Sequence, residues 1–570
     1  MQVCFNTVLL KILEANTAQY LMAEGSVGSE LEDRTVQGWN ETAIIEIEGV
    51  ANIFSQWLDT FKGNKRVTPM CEDLFERYMG FLDRHVLSVS NAIFSAMSKM
   101  LSEIESFQSA DNALLMRAWQ VWKGGNPALH TDTSKRQNGN QDALIAYLDC
   151  LRELLRLLAQ ELQAEQTQII LKQLRACVVD STPTAYSADL DRMTAVQAMV
   201  LEGIKSIPTK APDIMPELVR SITGLVTLAY EQENDPSGKK QTFVAISKAA
   251  MDLLEACVKG HIERTDVDQM SLVSDAGNAL GVPISLKYKW SREGKEPPPW
   301  VKATTTALSI FEFCIPIIQA SQRAESDCSN LWVTIIKISD GIVAADCDAC
   351  TNRANIPKDE EFDIESYSRI RNLVRPALGS SLISDTVRRK YAESIFKNSI
   401  IHEPHPDDLA RPGQELLEGL RSDHIGRVND LPPSPRSRMS YILLDDLFSL
   451  VATHDGSPEQ IRLAQAAAPY LILRTGLTLK AYIMDHPLRG RMPQPWSQRK
   501  EMLYILRKLI ELDSEPKAIP AAPGIMSEHK KHLHRLYPLV MKALKAAWRD
   551  EKMGRALQEV LDAVGDDFGI

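Results

Sequence analysis

The chain reads as an all-α protein, a HEAT- or armadillo-like α-solenoid of about 18–20 helices. Three observations predict it. Apolar residues recur at helical spacing almost everywhere, while the two-residue alternation of strands is nearly absent. Aromatic content is only 6%, and the helix-favouring residues Leu, Ala, Lys and Glu dominate. Helical runs are punctuated by Gly/Asn stops and Ser/Thr/Asp–Pro starts, with hairpins roughly forty residues apart. No residue consensus repeats, so rhythm carries the prediction; independent helical bundles are the alternative.

In order along the chain, Trp39 to Phe61 places Ile44, Ile47, Val50, Ala51, Phe54, Trp57, Leu58 and Phe61 on one wide apolar face. Asn40 or Thr42 is suited to cap its start, Gly63-Asn64 to end it, and Pro69 to sit in the first turn of the next helix. Pro183, Pro212, Pro236, Pro458 and Pro495 mark further helix starts. From Gln141 the apolar residues Leu144, Leu148, Leu151, Leu155, Leu158 and Leu162 follow steps of four and three, a heptad seam broken at Glu165 before Ile169. A long solenoid helix packed on its neighbour accounts for that seam better than an intermolecular coiled coil. Polar, turn-rich segments fall at Gly124–Asn140, Gly281–Trp300 and Asn352–Glu361. The expected organisation is helical repeats over 1–123, a loop over 124–140, repeats over 141–280, a loop over 281–300, repeats over 301–401, a mobile linker over 402–438 and a basic helical region over 439–570. Ser434-Pro435 amid arginines has the form of a proline-directed phosphorylation site, although a solvated linker is the better reading.

The 570 residues carry a net charge of −11, which argues against general nucleic-acid binding. The N-terminal residues lack a basic stretch and cleavage site, so no signal peptide is expected. The most apolar stretch, Ala303 to Gln322, is interrupted by Glu312 and Pro316 and reads as a buried helix rather than a membrane span. Any membrane contact is then peripheral. Nine scattered cysteines suit reduced, buried thiols. Cys347 and Cys350 form the one close pair and lack the second pair a zinc site requires.

No catalytic, cofactor-binding or metal constellation emerges. Ser237-Gly-Lys-Lys240 lacks the glycine and hydroxyl of a phosphate loop, and no nucleophile elbow is present. In His402-Glu-Pro-His405 the spacing is wrong for a zinc protease and Pro404 interrupts any helix. His529 and His532 could share a helix face, but Lys530, Lys531 and Arg535 oppose a cation there. A basic helix start facing an acidic partner or lipid headgroups is the better reading, with histidine charge growing below about pH 6.5 near an anionic surface. Arg388-Arg389-Lys390 reads as a solvated face.

One region departs from the acidic background. From Leu471 to Arg555 there are 17 Lys+Arg against 8 Asp+Glu, a balance of +9 that leaves −20 on the rest. Such an asymmetry points to a contact surface. After the Pro-Gln-Pro turn, Met502, Ile505, Leu506, Leu509 and Leu512 form a buried stripe, opposite Lys500, Tyr504, Arg507, Lys508 and Glu511. The candidate interaction residues are Arg489, Arg491, Arg499, Lys500, Arg507, Lys508, Lys530, Lys531 and Arg535.

Three stretches carry a family resemblance: Trp39-Asn-Glu-Thr-Ala-Ile-Ile-Glu-Ile-Glu-Gly-Val-Ala-Asn-Ile-Phe54; Trp119 with the helices from Phe75 to Phe107; and Ala467-Ala-Pro-Tyr-Leu-Ile-Leu-Arg474 through Leu488-Arg-Gly-Arg-Met-Pro493 to Leu536-Tyr-Pro538. With them the chain resembles the C-terminal part of the fungal Mon-two type endosomal and Golgi peripheral membrane proteins, relatives of the large Arf exchange factors without the catalytic exchange domain. The family's N-terminal dimerisation and cyclophilin-binding-like region has no counterpart here, as expected of a fragment or truncated gene model. The resemblance implies a cytoplasmic scaffold, peripheral on endosome and Golgi membranes, in endosome-to-Golgi recycling. It implies association with a Dopey-type protein and, through it, an aminophospholipid flippase. A regulator of an Arf-type small GTPase and an unrelated helical-repeat adaptor are the alternatives; no element for displacing magnesium and nucleotide is marked.

Overall fold

A computed structural model describes residues 8–24, 30–56, 67–104, 112–129, 140–158, 162–181, 192–208, 214–231, 243–262, 270–288, 297–321, 325–403, 432–453, 456–519 and 524–570. They form twenty α-helices and no strand among the described residues. The chain divides into two compact units, Met1–Cys257 with Gly294–Pro299, and Val258–Glu293 with Trp300–Ile570.

The first unit contains α1 (Leu10–Glu24), α2 (Glu30–Gln56), α3 (Val67–Leu82), α4 (Leu87–Ile104), α5 (Asn112–Gly124), α6 (Gln141–Leu158), α7 (Ala164–Val179), α8 (Ala195–Lys205) and α9 (Ile214–Thr227), and most of α10 (Val244–Ile262). Packing follows a two-step rule. One row runs α1–α3–α5–α7–α9, a second runs α2–α4–α6–α8, and the pairs α1–α2, α3–α4, α5–α6 and α7–α8 join them. Stacked helix pairs that touch only near neighbours define an α-solenoid.

The seam of α6 explains one step of that ladder. Leu144, Leu148, Leu151, Leu155 and Leu158 are all buried, and α6 packs on α4, so the heptad spacing serves an intramolecular contact. Leu162 lies beyond the helix end, in the connection to α7. An aromatic stack fills the space between α4, α5 and α6. Trp122 stacks on Tyr147 with centroids 4.9 Å apart, Phe94 meets Tyr147 edge-on at 5.0 Å, and the Trp122 indole N–H donates to the Tyr147 carbonyl at 3.2 Å. Gly125 closes this corner: a Cβ there would meet Leu82 at 2.6 Å and Phe94 at 2.8 Å. Thr194 starts α8 with a reciprocal cap, its hydroxyl accepting from the Gln197 N–H while Gln197 accepts from its own.

The second unit contains α11 (Met270–Ser285), α12 (Pro299–Ser321), α13 (Glu325–Val343), α14 (Ile356–Leu378), α15 (Asp385–Asn398), α16 (Ser437–Val451), α17 (Pro458–Asp485), α18 (Trp496–Glu511), α19 (Lys531–Ala546) and α20 (Glu551–Phe568). The same rule holds. One row runs α11–α13–α15–α17–α19; α14–α16 and α18–α20 stack beside it, and α13–α14, α15–α16, α17–α18 and α19–α20 pair across. The chain is thus an all-α solenoid in both units.

Several boundaries differ from expectation. α2 begins at Glu30, so Asn40 and Thr42 are interior to it rather than caps; Thr42 donates to the Gly38 carbonyl, and Asn40 accepts from Arg84. Ile47, Val50, Ala51 and Phe54 are buried as expected, whereas Trp57, Leu58, Phe61 and Gly63-Asn64 lie outside the described residues. Pro69 falls in the first turn of α3, and Pro458 in that of α17; Pro183, Pro212 and Pro236 are outside the described residues. Residues 281–285 continue α11 instead of opening a loop. The charged segment at 352–361 is a short 3₁₀ turn followed by the start of α14, with Pro357 in the first turn, where its missing N–H costs no helix bond.

Buried charges organise the second unit. Lys287 and Arg436 both pair with Asp363, and Lys287 lies 3.7 Å from the Trp300 ring centroid. Arg436 also donates to the carbonyls of Val343 at 2.9 Å and Ile342 at 3.3 Å, closing the C-terminus of α13. Burial pushes Lys287 down to about 8, against the pull of Asp363. Arg436 was expected in a mobile linker. Its end of the segment is instead docked: the Ser434 N–H donates to Ile401 O at 2.8 Å, and Glu360 accepts from the Met439 N–H at 2.9 Å. Residues 404–431, the bulk of that segment, lie outside the described residues. Arg388 is likewise buried rather than solvated, donating to the Leu378 and Ser380 carbonyls; Arg389 and Lys390 are exposed.

Candidate interaction surface at the basic end

α17 ends at Asp485, and the chain turns through a 3₁₀ segment, His486–Arg489, and Gly490 at φ +63° before α18. Asp485 holds this turn, accepting from Arg489 Nε and Gln494 Nε2, each at 2.6 Å. Arg489 therefore has its charge turned inward. Arg499 pairs with Asp550 at 2.9 Å and ties the turn to the α19–α20 connection. Arg549 adds a second tie, donating to the Gly490 carbonyl at 3.2 Å.

The other candidates divide. Arg491 and Arg535 are exposed and pair with no carboxylate among the described residues. Lys500 is exposed, its ammonium 5.5 Å from the Tyr441 ring centroid. Arg507 is exposed and pairs with Glu511 at 2.7 Å, one turn along. Lys508 is half-buried and pairs with Asp445 at 3.2 Å; Tyr504 donates to the same carboxylate. Lys530 is half-buried, and Lys531 is buried in the first turn of α19. The buried stripe of Met502, Ile505, Leu506, Leu509 and Leu512 is as expected.

His532 is not placed to sense a headgroup. His532 is fully buried, with its Nε2–H donating to the Leu509 carbonyl at 3.1 Å and its Nδ1 accepting from the Ser514 hydroxyl at 3.0 Å. Burial pushes it down to about 4, so it stays neutral where an exposed histidine would charge. His534 is bonded to Asp567 at 2.9 Å and packs on the Phe568 ring. No group of three or more His, Cys, Asp or Glu that could hold a metal occurs among the described residues. Cys347 and Cys350 are half-buried free thiols in a 3₁₀ turn. Ser237-Gly-Lys-Lys240 and His405 lie outside the described residues.

A buried network that sequence reasoning missed lies beneath the surface. Arg474 donates to Glu501 at 2.6 Å, to Thr478 at 2.7 Å and to the Ser399 carbonyl at 3.0 Å. His402 Nδ1 meets the other Glu501 oxygen at 2.6 Å, and its Nε2 meets Ser497 at 3.0 Å. Burial raises the Glu501 carboxyl, but Arg474 and His402 outweigh it, and the net shift is downward. The adjoining cleft has an accessible volume of about 50 Å³, room for a few waters but not a metabolite. This cluster holds α15, α17 and α18 together.

Apolar residues were also missed. Met492 is 73% exposed, Trp496 62%, Trp548 72% and Leu488 47%. All four lie in or beside the two tied turns. No periodicity signals them, because three sit between helices and Trp496 is the first residue of α18, off its buried stripe.

Two curated fungal proteins are similar to the chain across nearly its whole length. The Protein MON2 homolog of Schizosaccharomyces pombe is 20% identical over 511 residues, which are 88% of this chain and 30% of that protein. The chain resembles the fungal MON2-type proteins. Protein MON2 of Saccharomyces cerevisiae is 20% identical over 565 residues, 92% of this chain and 33% of the MON2 protein. The chain therefore spans about a third of the length of these MON2 relatives. No family model matches it. Among solved structures, a circular tandem repeat protein with novel repeat topology is 12% identical at a TM-score of 0.24, covering 100% of this chain and 98% of that one. That likeness is too distant to carry an argument; the solenoid assignment rests on the two-row packing of this chain's own helices.

Proposed function

We propose that the chain is a non-enzymatic helical-repeat scaffold in endosome-to-Golgi vesicle trafficking, peripheral on those membranes and binding partner proteins. The carrying observation is similarity to MON2-type proteins over about nine-tenths of a chain built as a two-row solenoid. A solenoid presents long helical surfaces, which suits simultaneous contact with several partners. By the family resemblance those partners are a Dopey-type protein and, through it, an aminophospholipid flippase. No described helix is long and apolar enough to cross a membrane, which accords with peripheral attachment. Of the candidate residues, Arg491, Lys500, Arg507 and Arg535 are the exposed ones.

The test is made in cells lacking the protein. A recycling cargo should accumulate in endosomes, and the restored, tagged protein should fractionate with endosome and Golgi membranes until alkaline extraction. Normal cargo return, together with a tagged protein found wholly off membranes, would sink the reading. Stimulated nucleotide exchange on a purified Arf-type GTPase would replace the scaffold with a regulator.

A further inference from the structure

We infer that the two tied turns form an interfacial anchor that inserts Trp496, Trp548 and Met492 into the headgroup layer of an anionic membrane. The inference deepens the peripheral-membrane reading above and rests on it. Large apolar side chains exposed by 62%, 72% and 73% are costly in water unless something covers them. Here they sit in the inter-helix turns or, for Trp496, at the first residue of the helix that follows one. The α17–α18 turn supplies Met492, Trp496 is the first residue of α18, and the α19–α20 turn supplies Trp548. The Arg549 bond to Gly490 and the Arg499–Asp550 ion pair fasten one turn to the other, so the three side chains belong to one rigid feature.

Charge selects the occupant. Residues 486–500 contain four basic side chains and no acidic one. The Arg549 guanidinium lies 3.8 Å from the Trp548 ring centroid, and the Lys552 ammonium 5.5 Å from that of Trp496. Each exposed indole thus has a cation at its face, and Arg491 projects nearby without a carboxylate partner among the described residues. Tryptophan beside lysine and arginine matches the chemistry of a bilayer interface, where the indole lies at headgroup depth and the cations meet lipid phosphate and carboxylate. The anchor lies on a chain whose net charge is −11, so the basic turns must come first in an approach to an anionic surface.

The full chain is sedimented with vesicles of phosphatidylcholine containing phosphatidylserine, and with phosphatidylcholine alone. Binding should require the anionic lipid and weaken with salt. Trp496→Ser with Trp548→Ser should lower vesicle affinity about tenfold or more, and Arg491→Glu with Arg549→Glu should do likewise. Tyr537→Ser removes an exposed aromatic from α19, well away from the turns in sequence, and should bind as the wild type. Unchanged helicity by circular dichroism and unchanged melting separate lost contact from lost fold. For a variant that melts early, quenching of wild-type tryptophan fluorescence by brominated lipid gives the same answer without substitution. No binding to anionic vesicles, no dependence on anionic lipid, or full binding by the folded double-serine variant would each overturn the inference. So would a variant that binds vesicles normally but loses a protein partner, which would make the turns a protein-docking surface. Intact cargo recycling without vesicle binding sinks this inference alone; vesicle binding without any recycling defect sinks the trafficking reading alone.

Discussion

The two units share one packing rule but fill their interiors differently. Among the described residues of the first unit, the buried polar side chains are neutral ones: Asn, Gln, Ser and Thr. Its interior carries the Trp119–Trp122–Tyr147–Phe94 aromatic stack. The second unit buries Lys287, Asp363, Arg388, Arg436, Arg474, Asp485, Glu501 and Lys531. The difference follows from where backbone groups need closing. Arg436 and Arg388 reach helix-end carbonyls that no following turn satisfies, and Arg474 serves the Ser399 carbonyl after α15. A charge brought inside for that purpose needs a counter-charge, so Asp363 and Glu501 are buried with it.

The comparison is broken most directly at Asp363. Asp363→Ala leaves Lys287 and Arg436 buried without their shared carboxylate, and should cost the second unit about 3–5 kcal/mol. Hydrogen exchange along the chain is the measurement. Protection should collapse in α11, α13 and α14, while α4 to α6 keep theirs. A loss below about 1 kcal/mol would show that those cations reach water and that the contrast between the interiors is false.

Acid should also distinguish the units, with His532 as a named source. Its ordinary value of 6.5 falls to about 4 in the fold. Below the unfolded value, the unfolded chain binds a proton that the folded chain refuses. Stability therefore rises with pH across this window, is complete above about 6.5, and is lost progressively down to about 4, worth about 3 kcal/mol in all. His532→Asn lowers stability at neutral pH but should flatten that slope. An unchanged slope would place the acid sensitivity elsewhere. In the first unit the matching experiment is steric. Trp122→Phe removes the bond to the Tyr147 carbonyl and part of the stack, and should cost about 2 kcal/mol with no pH dependence between 4 and 7.

These differences explain what was legible in advance. Helices and their apolar faces were, because a 3.6-residue period is a property of one segment: the α6 seam and the α18 stripe are where their leucines place them. The element at 352–361 was not, because its charges suggest a loop while Pro357 fits a first helical turn equally well. Arg388, Arg436, Arg474 and His532 were not legible as interior residues. Their partners lie 10, 73, 27 and 23 positions away, and no local pattern announces such a meeting. Counting basic residues overstated the outward charge of the candidate surface, since Arg489 and Lys531 face inward and Arg499 is half-buried and paired to Asp550. The exposed tryptophans went unremarked for the opposite reason: they obey no period at all.

The smallest expected effect tests that last distinction within a single basic segment. Arg489 and Arg507 are both arginines paired to a carboxylate four residues away on the chain. The Arg489 side chain is 6% exposed and its partner Asp485 also fastens Gln494. Arg507 is 80% exposed, and its Glu511 partner is open to solvent as well. Solvent screening leaves such an exposed i,i+4 pair with little net effect on stability. Arg507→Ala should therefore leave the urea midpoint almost unchanged, and any small shift should vanish in high salt. Arg489→Ala should cost several times more and keep its cost in salt, because Asp485 would be left buried with one donor fewer. Equal effects from the two substitutions would mean that the 486–500 turn is not fastened through Asp485, and the anchor's rigidity would lose one of its supports.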